Sequence, residues 1–203
     1  MNRKEMLEAV HTEVRACTLC PLHAARTRAV PGAGPADAEI MFIGEAPGFH
    51  EDQQGLPFVG AAGRYLNELL TKVGIDRQHV FITNVIKCRP PSNREPKAEE
   101  VETCKPYLDR QIEIISPRVI VTLGRHSMAR AFPEEKISTV HGQPREVNGQ
   151  IYFPMYHPAA ALHQPSLRSV LAADFARLRD LLDGNLEPET YTPPPDAEQL
   201  SLF

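Results

Sequence analysis

The chain of 203 residues is 42% hydrophobic and 24% charged, the balance of a globular protein long enough to bury one sizeable core. No apolar run approaches membrane-spanning length, and the opening Met1-Asn2-Arg3-Lys4-Glu5 lacks the apolar segment of a signal peptide. These features argue against a membrane protein and lead to the expectation of a cytoplasmic one.

Residues 184–203 hold Glu187, Glu189, Asp196 and Glu198 but no Lys or Arg, which leaves 22 acidic and 22 basic residues in the rest of the chain. A nucleic-acid partner would therefore be met by a local patch, not by a generally basic body. In chain order, residues 2–16 have helical spacing, with Met6, Ala9, Val10 and Val14 on one face, and run into Cys17-Thr18-Leu19-Cys20-Pro21. A turn-rich segment, 30–37, precedes Ile40-Met41-Phe42-Ile43. Four apolar residues in a row are too few for a helix and apolar on both faces, as in a strand buried inside a parallel sheet. The run breaks at Gly44-Glu45-Ala46-Pro47-Gly48, a tight loop at the strand's carboxyl edge, where open α/β sheets hold their ligands. Phe58 then offers a ring for stacking, and a helix pattern over 61–73 begins at once, so that its first amides face the same place.

A second strand is expected over 80–86, followed by a proline-broken basic loop, 87–94, and a helix over 98–115 that contains Cys104. Val119 to Leu123 reads as a third strand ending at Gly124, with a short helix over 125–132 behind it. A fourth strand over 151–156 runs into His157-Pro158. Its internal Pro154 cannot donate to a ladder, which predicts a sheet edge. A helix over 169–182 closes the body. Strands alternating with helices define an α/β protein with a parallel sheet covered on both faces. From Gly184 onward the acids and prolines predict a disordered tail, 184–203.

The four cysteines are a C-x-x-C pair, Cys17 and Cys20, then Cys88 and Cys104 with fifteen residues between them. Intracellular chains rarely hold structural disulfides, so four thiols in this pattern suggest a metal centre. A 4Fe–4S cluster and zinc both accept four cysteines, and the wide second pair favours the cluster over zinc. With every position filled by protein, the centre is expected to be structural.

Gly44-Glu45-Ala46-Pro47-Gly48, Phe58, Asn84 and His157-Pro158 all fall at carboxyl strand edges. Together with the cysteine spacing they make the chain resemble a family 4 uracil-DNA glycosylase over about residues 10–183. The resemblance implies one domain over 1–183, a three-layer α/β/α sandwich around a four-stranded parallel sheet, and a 4Fe–4S cluster on Cys17, Cys20, Cys88 and Cys104. It also implies a monomer that hydrolyses the N-glycosidic bond of deoxyuridine in single- or double-stranded DNA, for base excision repair. The family's uracil contacts map to Gly44, Glu45 and Ala46. Phe58 would stack on the flipped base, Asn84 would meet uracil N3–H and O4, and His157 would stabilise the leaving anion at O2. Glycosylases of the best-studied family carry Gly-Gln-Asp-Pro-Tyr in the first loop, whereas this chain has Ala46 at the Asp position and Gly48 at the Tyr position. Glu45 is therefore expected to support the cationic sugar and the water, and Glu51 to close the pocket against a 5-methyl group. The remaining histidines, His126 among them, show no convergent partner and are assigned nothing.

The loop cations Lys87, Arg89, Arg94 and Lys97 are expected to grip phosphates, and Leu162 to wedge into the gap left by the flipped base. The chain ends Gln199-Leu200-Ser201-Leu202-Phe203, which resembles the peptide by which bacterial repair proteins dock on the sliding clamp. Gln199, Leu200, Leu202 and Phe203 would make that contact. Two other readings compete: a cluster-bearing DNA or nucleotide binder without catalysis, and a zinc-stabilised hydrolase of small nucleotides.

Overall fold

A computed structural model describes residues 1–192; the expected clamp peptide, with Gln199, Leu200, Leu202 and Phe203, lies outside them. At its centre, β1 (Ile40–Gly44) pairs in parallel with β2 (Val80–Asn84) on one side and β3 (Val119–Leu123) on the other. All three are buried along their whole length, which is why they read as unbroken apolar runs. Successive side chains point to opposite faces, so β1 feeds two separate cores. Ile40 and Phe42 pack with Leu66, Leu69 and Leu70 of α3 (Ala61–Lys72) and with Phe175 and Leu178 of α8 (Leu167–Leu182). Met41 and Ile43 pack with Leu7, Val10 and Val14 of α1 (Arg3–Ala16) and Leu108 and Ile115 of α4 (Ala98–Ile115). This is the expected three-layer sandwich. At the start of α1, Asn2 and Glu5 cap each other's backbone N–H at 2.9 and 3.0 Å.

The sheet is larger than expected. Beyond the four parallel strands β2-β1-β3-β5, where β5 is Gln150–Met155, it adds β4 (Arg145–Val147), antiparallel to β5, and the short β6 (Glu189–Thr190). Pro154 is therefore not on an edge strand. Its carbonyl accepts from the Gly142 N–H at 2.8 Å, on the side away from β3. The missing N–H points that same way, past the end of β4, which pairs only with residues 150–152, so no ladder bond is lost. The expected tail boundary at 184 also moves. Glu189 and Thr190 pair with β4, and the Tyr191 ring packs edge-on against Phe132 at 5.0 Å, so these residues belong to the body. Three short helices join the set: α2 (Phe49–Gln54), α6 (Ile137–Val140) and α7 (Pro158–His163), while the helix expected over 125–132 shortens to α5 (Arg125–Met128). No helix among the described residues is long and apolar enough to cross a membrane.

Candidate functional site

The carboxyl ends of β1, β2 and β5 open into one cavity of about 380 Å³, lined by Glu45, Ala46, Glu51, Phe58, Asn84 and His157 among others. Six of the seven residues expected at the base site thus converge. The seventh, Gly44, lies beneath the cavity and shapes it by what it lacks. A Cβ there would stand 2.4 Å from Asn84 Oδ1 and 2.8 Å from the Phe58 ring, so any larger residue would push both out of place.

Asn84 ends β2 and is buried, and its Oδ1 has no hydrogen-bond partner among the described residues. A buried acceptor left unpaired costs about 1–3 kcal/mol, so this atom is available to a donor that enters the cavity. Phe58 forms the facing wall. Its backbone has a left-handed φ of 52°, and its carbonyl occupies the space a side chain at Gly63 would need, 1.8 Å from the Cβ position. The Phe58 ring lies against the His157 imidazole at 5.5 Å and 26°.

His157 caps α7, with Nδ1 accepting from the Ala159 N–H at 3.1 Å. That bond fixes the tautomer: Nε2 carries the proton and is a donor. Burial pushes the imidazole's pKa down to about 4, with only the Glu51 charge pulling the other way. A neutral donor therefore stands in the cavity at physiological pH.

Glu51 is spent on backbone. Its Oε1 accepts from Val59 N and Gly60 N, both at 2.9 Å, and its Oε2 from Gly48 N at 3.1 Å, joining the first loop to the start of α3. Glu45 is half-buried, and burial raises its pKa. The larger opposing influence is His126, whose Nε2 lies 3.6 Å from Glu45 Oε2 and 3.6 Å from Glu95 Oε2; Arg125, which pairs with Glu95, also opposes it. His126 is the residue that sequence reasoning missed. It follows Gly124 at the end of β3, and the carboxyl-edge rule that selected Glu45 and His157 would have found it.

The expected phosphate grip is largely dismantled. Lys87 is buried, its Nζ donating to Thr83 Oγ1 (2.6 Å), the Asn84 carbonyl (2.8 Å) and Gln111 Oε1 (2.7 Å), and burial lowers its pKa to about 7. It cannot reach DNA; it holds the end of β2, and with it Asn84, in place. Arg94 lines the cavity but makes two bonds to the buried Glu100, at 2.9 and 2.6 Å. Lys97 is exposed, 3.8 Å from Glu99. Arg89 lies on the Phe49 ring, and Leu162 is exposed on α7.

Cys17, Cys20, Cys88 and Cys104 are free thiols that line a second, smaller cavity on the other side of the sheet. It is bounded by the end of α1, the loop after β2, and α4. Arg26 donates to Cys88 Sγ at 3.0 Å. Burial raises the Cys104 pKa to about 11 and also raises that of Cys88, so these sulfurs ionise only beside a strong positive centre. No three His, Cys, Asp or Glu side chains among the described residues are gathered as ligands of a metal ion.

An unpaired acceptor, a neutral donor and an aromatic wall at the carboxyl edge of a parallel sheet define a pocket for a flat, hydrogen-bonding heterocycle. The uracil DNA glycosylase superfamily matches residues 31–179, and the chain belongs to that family. It is 48% identical over 202 residues to the type-4 uracil-DNA glycosylase of Sulfurisphaera tokodaii, covering 93% of this chain and 89% of that protein. It is 43% identical over 186 residues to the type-4 enzyme of Thermotoga maritima (89% and 97% covered), and 31% over 150 residues to a type-5 enzyme of Pyrobaculum aerophilum (65% and 66%).

Proposed function

We propose that the chain excises uracil from single- or double-stranded DNA, leaving an abasic site. The observation that carries this is the pairing of an unsatisfied Asn84 Oδ1 with a neutral His157 donor in one cavity. Uracil flipped from the stack would give its N3–H to Asn84 Oδ1 and receive the His157 Nε2–H at O2, with Phe58 along its face. Cytosine would bring an N3 lone pair against the Asn84 oxygen and be rejected. When the bond between N1 and C1′ breaks, its electron pair goes to the uracil ring. A fixed neutral donor at O2 stabilises that anion without reorganisation. Glu45 would face the cationic sugar and take the proton of the water whose oxygen bonds C1′. Glu51, held by three backbone donors, would exclude a 5-methyl group.

Cys17, Cys20, Cys88 and Cys104 would hold a 4Fe–4S cluster, with zinc the alternative. Four sulfurs that share a cavity without converging on one point suit a multi-atom cluster better than one small ion. Bound there, the cluster would stabilise the thiolates and pin α1 to α4. The terminal Gln199, Leu200, Leu202 and Phe203 are proposed to dock on the sliding clamp of a bacterial cell. The deciding experiment is incubation with a uracil-containing oligonucleotide followed by alkali. Strand scission at the uracil is expected; an intact strand after prolonged incubation overturns the reading.

A further inference from the structure

Of the four loop cations, two are committed elsewhere: Lys87 is buried and Arg94 is paired with Glu100, while Lys97 is exposed 3.8 Å from Glu99. Arg89 forms no ion pair with a carboxylate among the described residues. Its Nε donates to Asn93 Oδ1 at 2.7 Å, and its guanidinium lies 5.2 Å from the centre of the Phe49 ring. Asn93 lines the uracil cavity, so the arginine is tethered to the rim. Phe49 is the first residue of α2, directly after Gly48 of the cavity wall, and is 51% exposed. The His50 imidazole meets it edge-on at 5.5 Å, leaving ring surface open to solvent.

A large aromatic ring held exposed by an otherwise uncommitted arginine, on the rim of a nucleotide pocket, has the composition of a single-strand stacking platform. We propose that Phe49 and Arg89 form a second DNA subsite: the ring stacks on the base next to the flipped uracil, and the guanidinium meets the phosphate beside it. This rests on the uracil-excision reading. It commits the exposed ring to a nucleobase because stacking accepts any base and the cation complements the backbone.

The test is equilibrium binding of the full-length protein to oligonucleotides carrying 2′-fluoro-deoxyuridine, which resists cleavage. Each neighbouring position in turn carries either a base or an abasic spacer. The parent protein is expected to prefer the base over the spacer at one neighbouring position by roughly 5- to 150-fold. Phe49→Ala and Phe49→Leu should lose that preference, while Phe49→Tyr keeps it. Arg89→Ala should lower the slope of log affinity against log salt by about 0.7, the loss of one phosphate contact on a single strand. No preference at either position, or its survival in Phe49→Leu, overturns the subsite. The outcomes separate from those of the underlying reading: the parent's discrimination of uracil from thymine in the same assay depends on the cavity, not on the spacer.

Discussion

The base cavity and the cysteine cavity are built from the same strand end, and they are finished in opposite ways. Asn84 and Cys88 both follow from β2, with Lys87 between them donating to the Asn84 carbonyl. At the carboxyl edge of the sheet Asn84 Oδ1 is held in place yet left unpaired, a condition for admitting and releasing a ligand. In the cysteine cavity, Cys88 is buried and the other three thiols are partly exposed around a small space lined by protein, an arrangement that would suit a resident group. The end of β2 and the loop after it thus contribute to two cavities of different finish.

The contrast is tested most severely by Cys88→Ala. Binding energy at a structural centre is folding energy, so this variant should lose visible iron–sulfur absorbance and most soluble protein together; a colourless variant with the parent's melting temperature and activity would break the distinction. Asn84→Ala and His157→Ala should do the reverse, keeping absorbance and melting temperature while single-turnover excision falls by roughly 10²–10³-fold each. Rates near the parent's in both would dissolve the assigned site.

A smaller effect concerns pH. Burial pushes the His157 pKa down to about 4, whereas it raises that of Glu45. With Glu45 as the proposed base, the rate should fall as pH drops through that raised pKa. Glu45→Gln should flatten this acid limb at a lower rate. His126→Phe removes the imidazole whose influence lowers the Glu45 pKa and should move the limb to higher pH. An unmoved midpoint would detach His126 from Glu45. The smallest effect on the site is that of deleting residues 199–203: activity on short oligonucleotides should persist while pull-down with the clamp is lost.

The strands were legible because burial on both faces leaves no polar alternation to confuse them, and the carboxyl-edge rule then collected Glu45, Asn84 and His157. What escaped had physical reasons. Burial of Lys87 is invisible in a charge run, since its partners Thr83 and Gln111 come from a strand and a distant helix. The three-residue β4 and two-residue β6 are too short for any period to show. Pro154 misled because the rule about edges concerns the side its nitrogen faces, and sequence does not give that side. His126 was passed over because its partners, Glu45 and Glu95, come from other segments of the chain.

Glu51 carries a consequence for what this pocket could be persuaded to accept. One carboxylate ties Gly48, Val59 and Gly60 together, so the side chain proposed to exclude a 5-methyl group is also the clasp that shapes the cavity wall. Trimming the side chain to make room for a bulkier pyrimidine would release three backbone donors, at about 1 kcal/mol apiece, and let the wall drift. Broader tolerance by that route would arrive with a looser grip on uracil itself. Selection for new bases would have to begin at the neighbouring Ala46 or Ala62, where a change of size unties nothing.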